Sequence, residues 1–396
     1  MGLRILEIGH FVAAPFCTRL LADLGADIIK LEPPDGDPVR QWGAHIDGKS
    51  VWWSVHGRNK RSVTLNLKTE KGRDLARSLA TQCDAVVENF RPGQLAKLGL
   101  GDDELRRARP DLIIAHVSGY GQDGPYRDRA AFGVIGEAIG GLRHLTNHGP
   151  GTTGLPPVRV GVSIGDSIAG LYAAFGIVAA LCRRYRSPGE AGLTLDVALT
   201  ESVLSMMEGM LPEFGALNIV KQPTGGAIAT AAPSNAYPTS DGAWILIAAN
   251  SDRLFARLVA LIDAPELLHS DFAGNRNRVH NATRLDGVIS GWTRTMPAVE
   301  LEQVLNAADI PNSKVFTVAD IAQDPQFRER GMVREVADPA FGTVLHPGIV
   351  PHVVEAPGEV SWPGCELGAH NAEIFGDMLG LSPEAILQMR EEGVIG

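Results

Sequence analysis

Short β-branched runs alternate with amphipathic segments from Leu3 to Val117, and that rhythm leaves a chain few ways to fold. The runs Leu3 to Ile8, Asp27 to Leu31, Ser62 to Leu67, Asp84 to Asn89 and Leu112 to Val117 read as strands. Between them, Pro15 to Leu24, Thr69 to Gln82 and Asp102 to Arg109 place apolar residues three and four apart, as helices lying on a sheet must. Strands separated by helices pair in parallel through crossovers rather than as hairpins. The pattern predicts an α/β chain with a Rossmann-like large domain.

Further along, Gly149 to Pro157 is rich in Gly, Thr and Pro and reads as a loop. An Ala- and Leu-rich helix follows to about Arg184, with Asp166 where an N-cap or first-turn residue belongs. A strand over Leu193 to Val197 and a Met-rich helix from Glu201 to about Phe214 come next. After a second loop, Val220 to Pro233, the pattern changes to a hairpin-like strand, Trp244 to Ala248, then helices, then a strand over Ser313 to Val318. Ser382-Pro383 caps a final helix, Ser382 to Glu392. The expected division is a large domain begun by 1–200, a linker over 201–224, a smaller α+β domain over 225–320, and a return segment, 321–396, that rejoins the large domain.

With 44% hydrophobic residues among 396, the chain can bury two such cores. Its formal charge of −10 opposes a phosphate-tracking surface, so no nucleic-acid partner is expected. Cys17, Cys83, Cys182 and Cys365 show neither CxxC nor zinc spacing; they read as reduced thiols, and no metal is expected. The opening Met-Gly-Leu-Arg-Ile-Leu lacks the basic and apolar regions of a signal peptide, which favours the cytoplasm, and Leu6 stands where myristoylation requires Ser or Thr. Apolar stretches such as Ile168 to Leu181 fall short of the ~18 residues a membrane span needs, so no membrane partner is expected.

Three motifs mislead. Gly43-Ala44-His45-Ile46-Asp47-Gly48-Lys49-Ser50 satisfies the phosphate-loop pattern GxxxxGK[ST], but it follows a Pro- and Asp-rich loop instead of a buried strand. The first βα turn, Glu7 to Pro15, lacks the three glycines of a dinucleotide fingerprint, so the sheet does not imply a nicotinamide cofactor. His144 and His148 form no HExxH and read equally well as a solvated helix face.

A set of motifs in fixed order carries more. Leu20-Leu21-Ala22-Asp23-Leu24-Gly25-Ala26-Asp27-Ile28-Ile29-Lys30-Leu31-Glu32-Pro33-Pro34 is followed by Asn59-Lys60-Arg61-Ser62, Val87-Glu88-Asn89-Phe90-Arg91-Pro92-Gly93 and Ser118-Gly119-Tyr120-Gly121. Gly165-Asp166-Ser167, Pro238-Thr239-Ser240-Asp241-Gly242 and Asp324-Pro325-Gln326-Phe327 continue the series. In this order they resemble the class III CoA-transferase family (CaiB/BaiF) over nearly the whole chain. The resemblance implies a Rossmann-like domain joined by linkers to a smaller one, two subunits threaded as interlocked rings, a coenzyme A thioester as substrate, and no tightly bound cofactor.

It also implies residue roles. Asp166 corresponds to the aspartate that attacks the acyl-CoA thioester, with Gly165 beside it as an oxyanion donor that lets the backbone come close. Asp166 read alone is a helix cap; a helix N-terminus would in either case favour its ionised form. Arg40, Leu65, Lys68, Asn89, Phe90 and Lys97 fall where related transferases contact CoA, although Lys68 and Lys97 also read as solvated helix-face residues. Val12, Glu137, Arg159 and the Gly225-Gly226 pair fall at substrate positions, and Arg159 reads equally well as a structural ion-pair partner or as the cation for an acceptor's second carboxylate.

Departures narrow the activity. Racemases of this fold use a His-Asp pair where this chain has Phe132-Gly133, and Phe132 can be neither acid nor base. Val12 and the short Gly225-Gly226 differ from the Gln and longer glycine run of formyl-CoA transferase. The stretch Phe132 to Asp166 looks most like members that use succinyl-CoA and small dicarboxylates. The expected function is acyl-CoA:carboxylate CoA transfer; the alternatives are an acyl-CoA racemase or epimerase, or a non-catalytic CoA-binding subunit.

Overall fold

A computed structural model describes residues 2–396, which divide into two compact units. The larger is assembled from three stretches, the chain up to Arg143, then 159–220, then 326–396. Its centre is a sheet of six parallel strands: β1 (Arg4–Glu7), β2 (Asp27–Glu32), β3 (Lys60–Thr64), β4 (Ala85–Glu88), β5 (Ile113–Ser118) and β6 (Thr194–Ala198). They lie in the order β3-β2-β1-β4-β5-β6. The chain thus winds outward from β1 in one direction through β3, then returns to β1 and winds the other way. Where the winding reverses, the loops leaving β1 and β4 part and open a crevice at their carboxyl ends.

Alternate residues of each strand enter different cores. Ile5, Ile28 and Ile113 join one cluster with α1 (Ala13–Asp23), while Leu6, Ile29 and Ile114 join another with α2 (Glu70–Thr81). The period of two along the strands, against helices on both sides, makes the three-layer α/β arrangement. Three further elements matter for the site: α3 (Gly133–Ile139), the long α4 (Ile164–Arg186) and α5 (Leu199–Ser205). α4 packs on α1 closely enough that a Cβ on Gly170 would lie 2.6 Å from the Ala13 carbonyl oxygen. Only a glycine permits that approach.

α4 also corrects a sequence expectation, because its 23 residues are long and apolar enough to cross a membrane by length and composition. In this unit Ala169, Ala173 and Ile177 on its inner side are wholly buried beside α1 and the sheet, as a core helix requires. The Met-rich helix expected from Glu201 is two helices, α5 and α6 (Met210–Leu217), because Glu208 adopts a left-handed backbone (φ 46°) and interrupts the ladder. Residues 43–50 form a short hairpin pairing His45–Ile46 with Lys49–Ser50, so the phosphate-loop match is a surface turn.

The smaller unit comprises 144–158 and 221–325. Its antiparallel strands β7 (Ser234–Pro238), β8 (Trp244–Ala248) and β9 (Asn312–Lys314) pack against helices that contribute Phe255, Leu258, Leu285, Ile289 and Leu301 to one core. The segment 144–158, assigned to the large domain from composition, groups here because the Gly225 N–H donates to the Asn147 carbonyl and the His144 ring meets the Lys221 carbonyl. The strand expected over Ser313 to Val318 stops at Lys314; Thr317 and Asp320 form a capping box that starts a helix at Val318.

Candidate active site

The crevice at the reversal of strand order is a cleft of about 530 Å³ in the large unit. It is lined from the carboxyl ends of four strands: Ile8 and His10 after β1, Pro33 and Pro34 after β2, Leu65 and Lys68 after β3, and Phe90 after β4. Two loops meet across it. The Asn89 side chain accepts the His10 N–H and donates to the His10 carbonyl, each at 2.8 Å, and the His10 and Phe90 rings stack edge to face with centroids 5.1 Å apart. Burial and the nearby Lys30 ammonium push the His10 imidazole below its ordinary value, so it is neutral at pH 7, and its Nδ1 is buried without a hydrogen-bond partner.

Beneath this loop lies a fully buried charge network. Lys30 Nζ donates to Glu7 Oε1 at 2.7 Å and to the Gly9 carbonyl at 2.9 Å, and lies 2.8 Å from Asp37 Oδ2 as an ion pair. Lys60 Nζ takes the other Glu7 oxygen at 2.8 Å and the Pro15 carbonyl at 2.7 Å. Burial alone would lower the Lys30 ammonium, but Asp37, Glu7 and Glu32 more than reverse it; likewise the two lysines overcome the burial of Glu7 and hold it ionised. Asp37 in turn accepts the Phe11 N–H at 3.0 Å and fixes Phe11 in a left-handed conformation, φ 61°. A bulky residue does not adopt that conformation without such support.

From Phe11 the contacts lead to the second part of the site. Its ring lies edge to face with Phe132, centroids 6.1 Å apart, and Phe132 is the N-cap of α3. The next residue, Gly133, faces Asp166: a Cβ there would sit 2.1 Å from Asp166 Oδ2. Asp166 is the third residue of α4, half-buried, with Gly165 before it so close to α3 that a Cβ would fall 2.9 Å from the Gly133 carbonyl oxygen. Two glycines on facing helices therefore make the recess that holds this carboxylate. Burial, then the neighbouring Glu137 carboxylate, push Asp166 up to about 6, opposed by Arg159. The helix terminus does not lower it as the sequence suggested; desolvation outweighs that effect, yet the group is still mostly ionised at pH 7.

Known proteins resemble this chain over nearly its whole length. A family model described as CoA-transferase family III matches residues 1–371. This chain belongs to CoA-transferase family III. The succinyl-CoA–D-citramalate CoA-transferase of Chloroflexus aurantiacus is 43% identical over 396 residues, 99% of this chain and 97% of that one. The human succinyl-CoA:glutarate CoA-transferase is 31% identical, over 100% of this chain and 89% of that one. A crystal structure of a CAIB/BAIF family protein from Brucella suis has a TM-score of 0.84 at 31% identity, covering 95% of this chain and 98% of that chain. As a class III CoA-transferase, the protein acts in acyl-CoA:carboxylate CoA transfer, with a CoA thioester among its substrates.

In this transferase the residues singled out from sequence fall into several places. Leu65, Lys68 and Phe90 line the cleft, whereas Asn89 is spent on the His10 backbone. Arg40 is not in the cleft: its guanidinium is bidentate to Glu32 at 2.7 Å, donates to the Cys365 carbonyl and stacks 3.7 Å over Trp53. Sequence could not show that Glu32 claims it. Lys97 is exposed at the end of a short helix and does not line the cleft. Val12 is buried as the N-cap of α1, and Glu137 is buried on α3. Arg159 is exposed, donating to the Val162 carbonyl at 3.3 Å, with no carboxylate in ion-pair distance among the described residues. Gly225 and Gly226 are exposed in the smaller unit.

His10 and Gly133 were missed. His10 follows the first strand, but only the order of strands reveals that this end borders a crevice. Gly133 gives no local signal, because its missing side chain matters only to a residue 33 positions on. A test is direct. Gly133→Ala keeps a helical backbone but forces the Asp166 carboxylate to rotate, and kcat should fall about 100-fold with the acyl-CoA KM nearly unchanged. Steady-state kinetics with kcat within threefold of wild type would show that the recess does not position Asp166.

Proposed function

We propose that this transferase moves CoA from a donor such as succinyl-CoA to a small dicarboxylic acid, with Asp166 as the nucleophile. The observation that carries the reading is the Asp166 carboxylate, desolvated in a glycine recess and joined through Phe132 and Phe11 to the loop of the cleft. CoA occupies that cleft, its adenine among Leu65, Phe90 and the neutral His10, with Lys68 toward the phosphates. An Asp166 oxygen bonds to the thioester carbonyl carbon, the C–S bond breaks, and CoA leaves as thiolate. The thiolate then attacks the Asp166 carbonyl of the mixed anhydride, releases the donor acid as its carboxylate, and leaves an aspartyl-CoA thioester. The acceptor carboxylate repeats these steps in reverse. No proton is exchanged. The Gly165 N–H, in the first turn of α4, supports the oxyanion.

The dicarboxylate preference is supported by Arg159, whose guanidinium is exposed and acts electrostatically on Asp166. The relatives named for citramalate and glutarate transfer agree with it. We also place the enzyme in the cytoplasm, consistent with four free cysteines, and expect a homodimer, which the exposed Leu171, Phe175, Val178 and Tyr185 on the outer side of α4 support. The test offers a panel of acids with succinyl-CoA and reads new thioesters by mass spectrometry. A bidentate charge-assisted contact is worth roughly 1.5–3 kcal/mol, so dicarboxylates should exceed monocarboxylates of equal length by about 10- to 150-fold in kcat/KM. Arg159→Gln should narrow that gap. Equal rates for butyrate and succinate, or equal slowing of both in the variant, would remove the dicarboxylate assignment.

A further inference from the structure

Glu137 is buried (1% exposed) on α3, one helical turn after Gly133, yet neither of its carboxylate oxygens has a hydrogen-bond partner. Arg143 stands nearest, but its Nε is 3.6 Å from Oε2, beyond hydrogen-bond range, and is itself buried without a partner. Buried carboxylates are ordinarily satisfied, and three unsatisfied polar atoms together are costly. They adjoin the nucleophile: the Glu137 Cγ lies 3.5 Å from where a Gly165 Cβ would be.

We infer that Glu137 is a positioning residue that keeps the resting Asp166 carboxylate at high energy and thereby drives the enzyme toward its acylated forms. The inference rests on Asp166 being the nucleophile. Its logic follows the charge. When Asp166 attacks, its negative charge departs with the thiolate, and the mixed anhydride and the aspartyl-CoA thioester are both neutral at that position. A neighbouring anion therefore opposes the free carboxylate and leaves the acylated residue untouched. Poor pairing with Arg143 is what keeps the Glu137 charge available; a bidentate ion pair would quench it.

No other charge nearby replaces it. On the remaining elements packed against α4, Arg19 and Asp23 of α1, His116 of β5, Asp196 of β6 and Glu201 of α5 exert no shift on Asp166, whereas Glu137 raises it and Arg159 lowers it.

The experiment titrates Asp166 in the resting enzyme by carbon-13 NMR of aspartate-labelled protein, with the signal assigned by its loss in Asp166→Asn. The wild-type midpoint near 6 should fall by about one unit in Glu137→Gln and persist in Glu137→Asp, which keeps the charge. With succinyl-CoA, kcat for Glu137→Gln should fall about 3- to 10-fold at unchanged KM, and less enzyme should be trapped by hydroxylamine as the acylated form. Glu137→Met supplies the same reading should the amide not fold. A midpoint that stays put or rises in the uncharged variants overturns the inference, even if the enzyme transfers CoA normally. If the midpoint falls while Asp166→Asn retains full activity, the assignment of the nucleophile fails instead, and with it the inference.

Discussion

Asp166→Asn is expected to lower kcat/KM for CoA transfer by at least about 1,000-fold, because the amide cannot form an anhydride. Glu137, the neighbouring acid, is buried on α3 at 1% exposure. The hydroxylamine-sensitive adduct formed with succinyl-CoA should disappear with the activity. Wild-type kcat/KM should decline as pH falls through about 6, since only the ionised carboxylate attacks. The same variant should be more stable than wild type above that pH. A carboxyl whose folded value, about 6, exceeds its unfolded value near 3.9 holds its proton more tightly when folded. Wild type therefore loses ground to Asn as pH rises from about 4 to 6, and the difference is full above 6 and absent below 4, of the order of 1–3 kcal/mol. Denaturation at pH 8 and pH 4 reads it. A variant that keeps activity, or that is less stable at pH 8, contradicts this account of the residue.

The second large effect concerns the charges beneath the β1 loop. Lys30→Met should destabilise the protein by about 3–5 kcal/mol, because it strands Asp37 as a buried anion and leaves Glu7 with Lys60 as its remaining cation. Removing one partner is far more costly than replacing the whole pair. Because Asp37 also holds Phe11 in its left-handed conformation and Lys30 binds the Gly9 carbonyl, the surviving folded enzyme should show a raised KM for acyl-CoA. Urea denaturation and saturation kinetics measure the two effects. A loss below about 1 kcal/mol would mean that the network contributes little beyond packing.

The sequence made the large sheet legible because its strands and helices have different hydrophobic periods, and β2, for instance, starts at Asp27 as its pattern indicated. It could not indicate what the charges inside those strands do. Lys30 and Lys60 look like exposed lysines at a strand edge, but both are essentially inaccessible and meet at Glu7 from three adjacent strands. Nothing local in the sequence betrays the pairing of Arg40 with Glu32. Asp166 was legible only through the ordered motifs around it; its own neighbourhood reads as an ordinary helix start. Gly133 and Glu137 bear on it through space, and no period or spacing along the chain encodes that.

The three-part construction of the large unit has a bearing on how the protein is made. Asn59 and Lys60, at the start of strand β3, are hydrogen-bonded to Glu359 and Trp362, 300 and 302 residues away: the Asn59 amide donates to the Glu359 carbonyl, and the Trp362 indole to the Lys60 carbonyl. At ribosomal speeds of roughly 5–20 residues per second, that strand leaves the exit tunnel about 15–60 seconds before the segment that covers it exists. Throughout that interval a β-rich edge stands without its cover, while the contiguous stretch 221–325 emerges and can collapse on its own core. Yield in a foreign host should therefore depend on holdase chaperones and on slow translation temperature more than on the equilibrium stability of the finished enzyme.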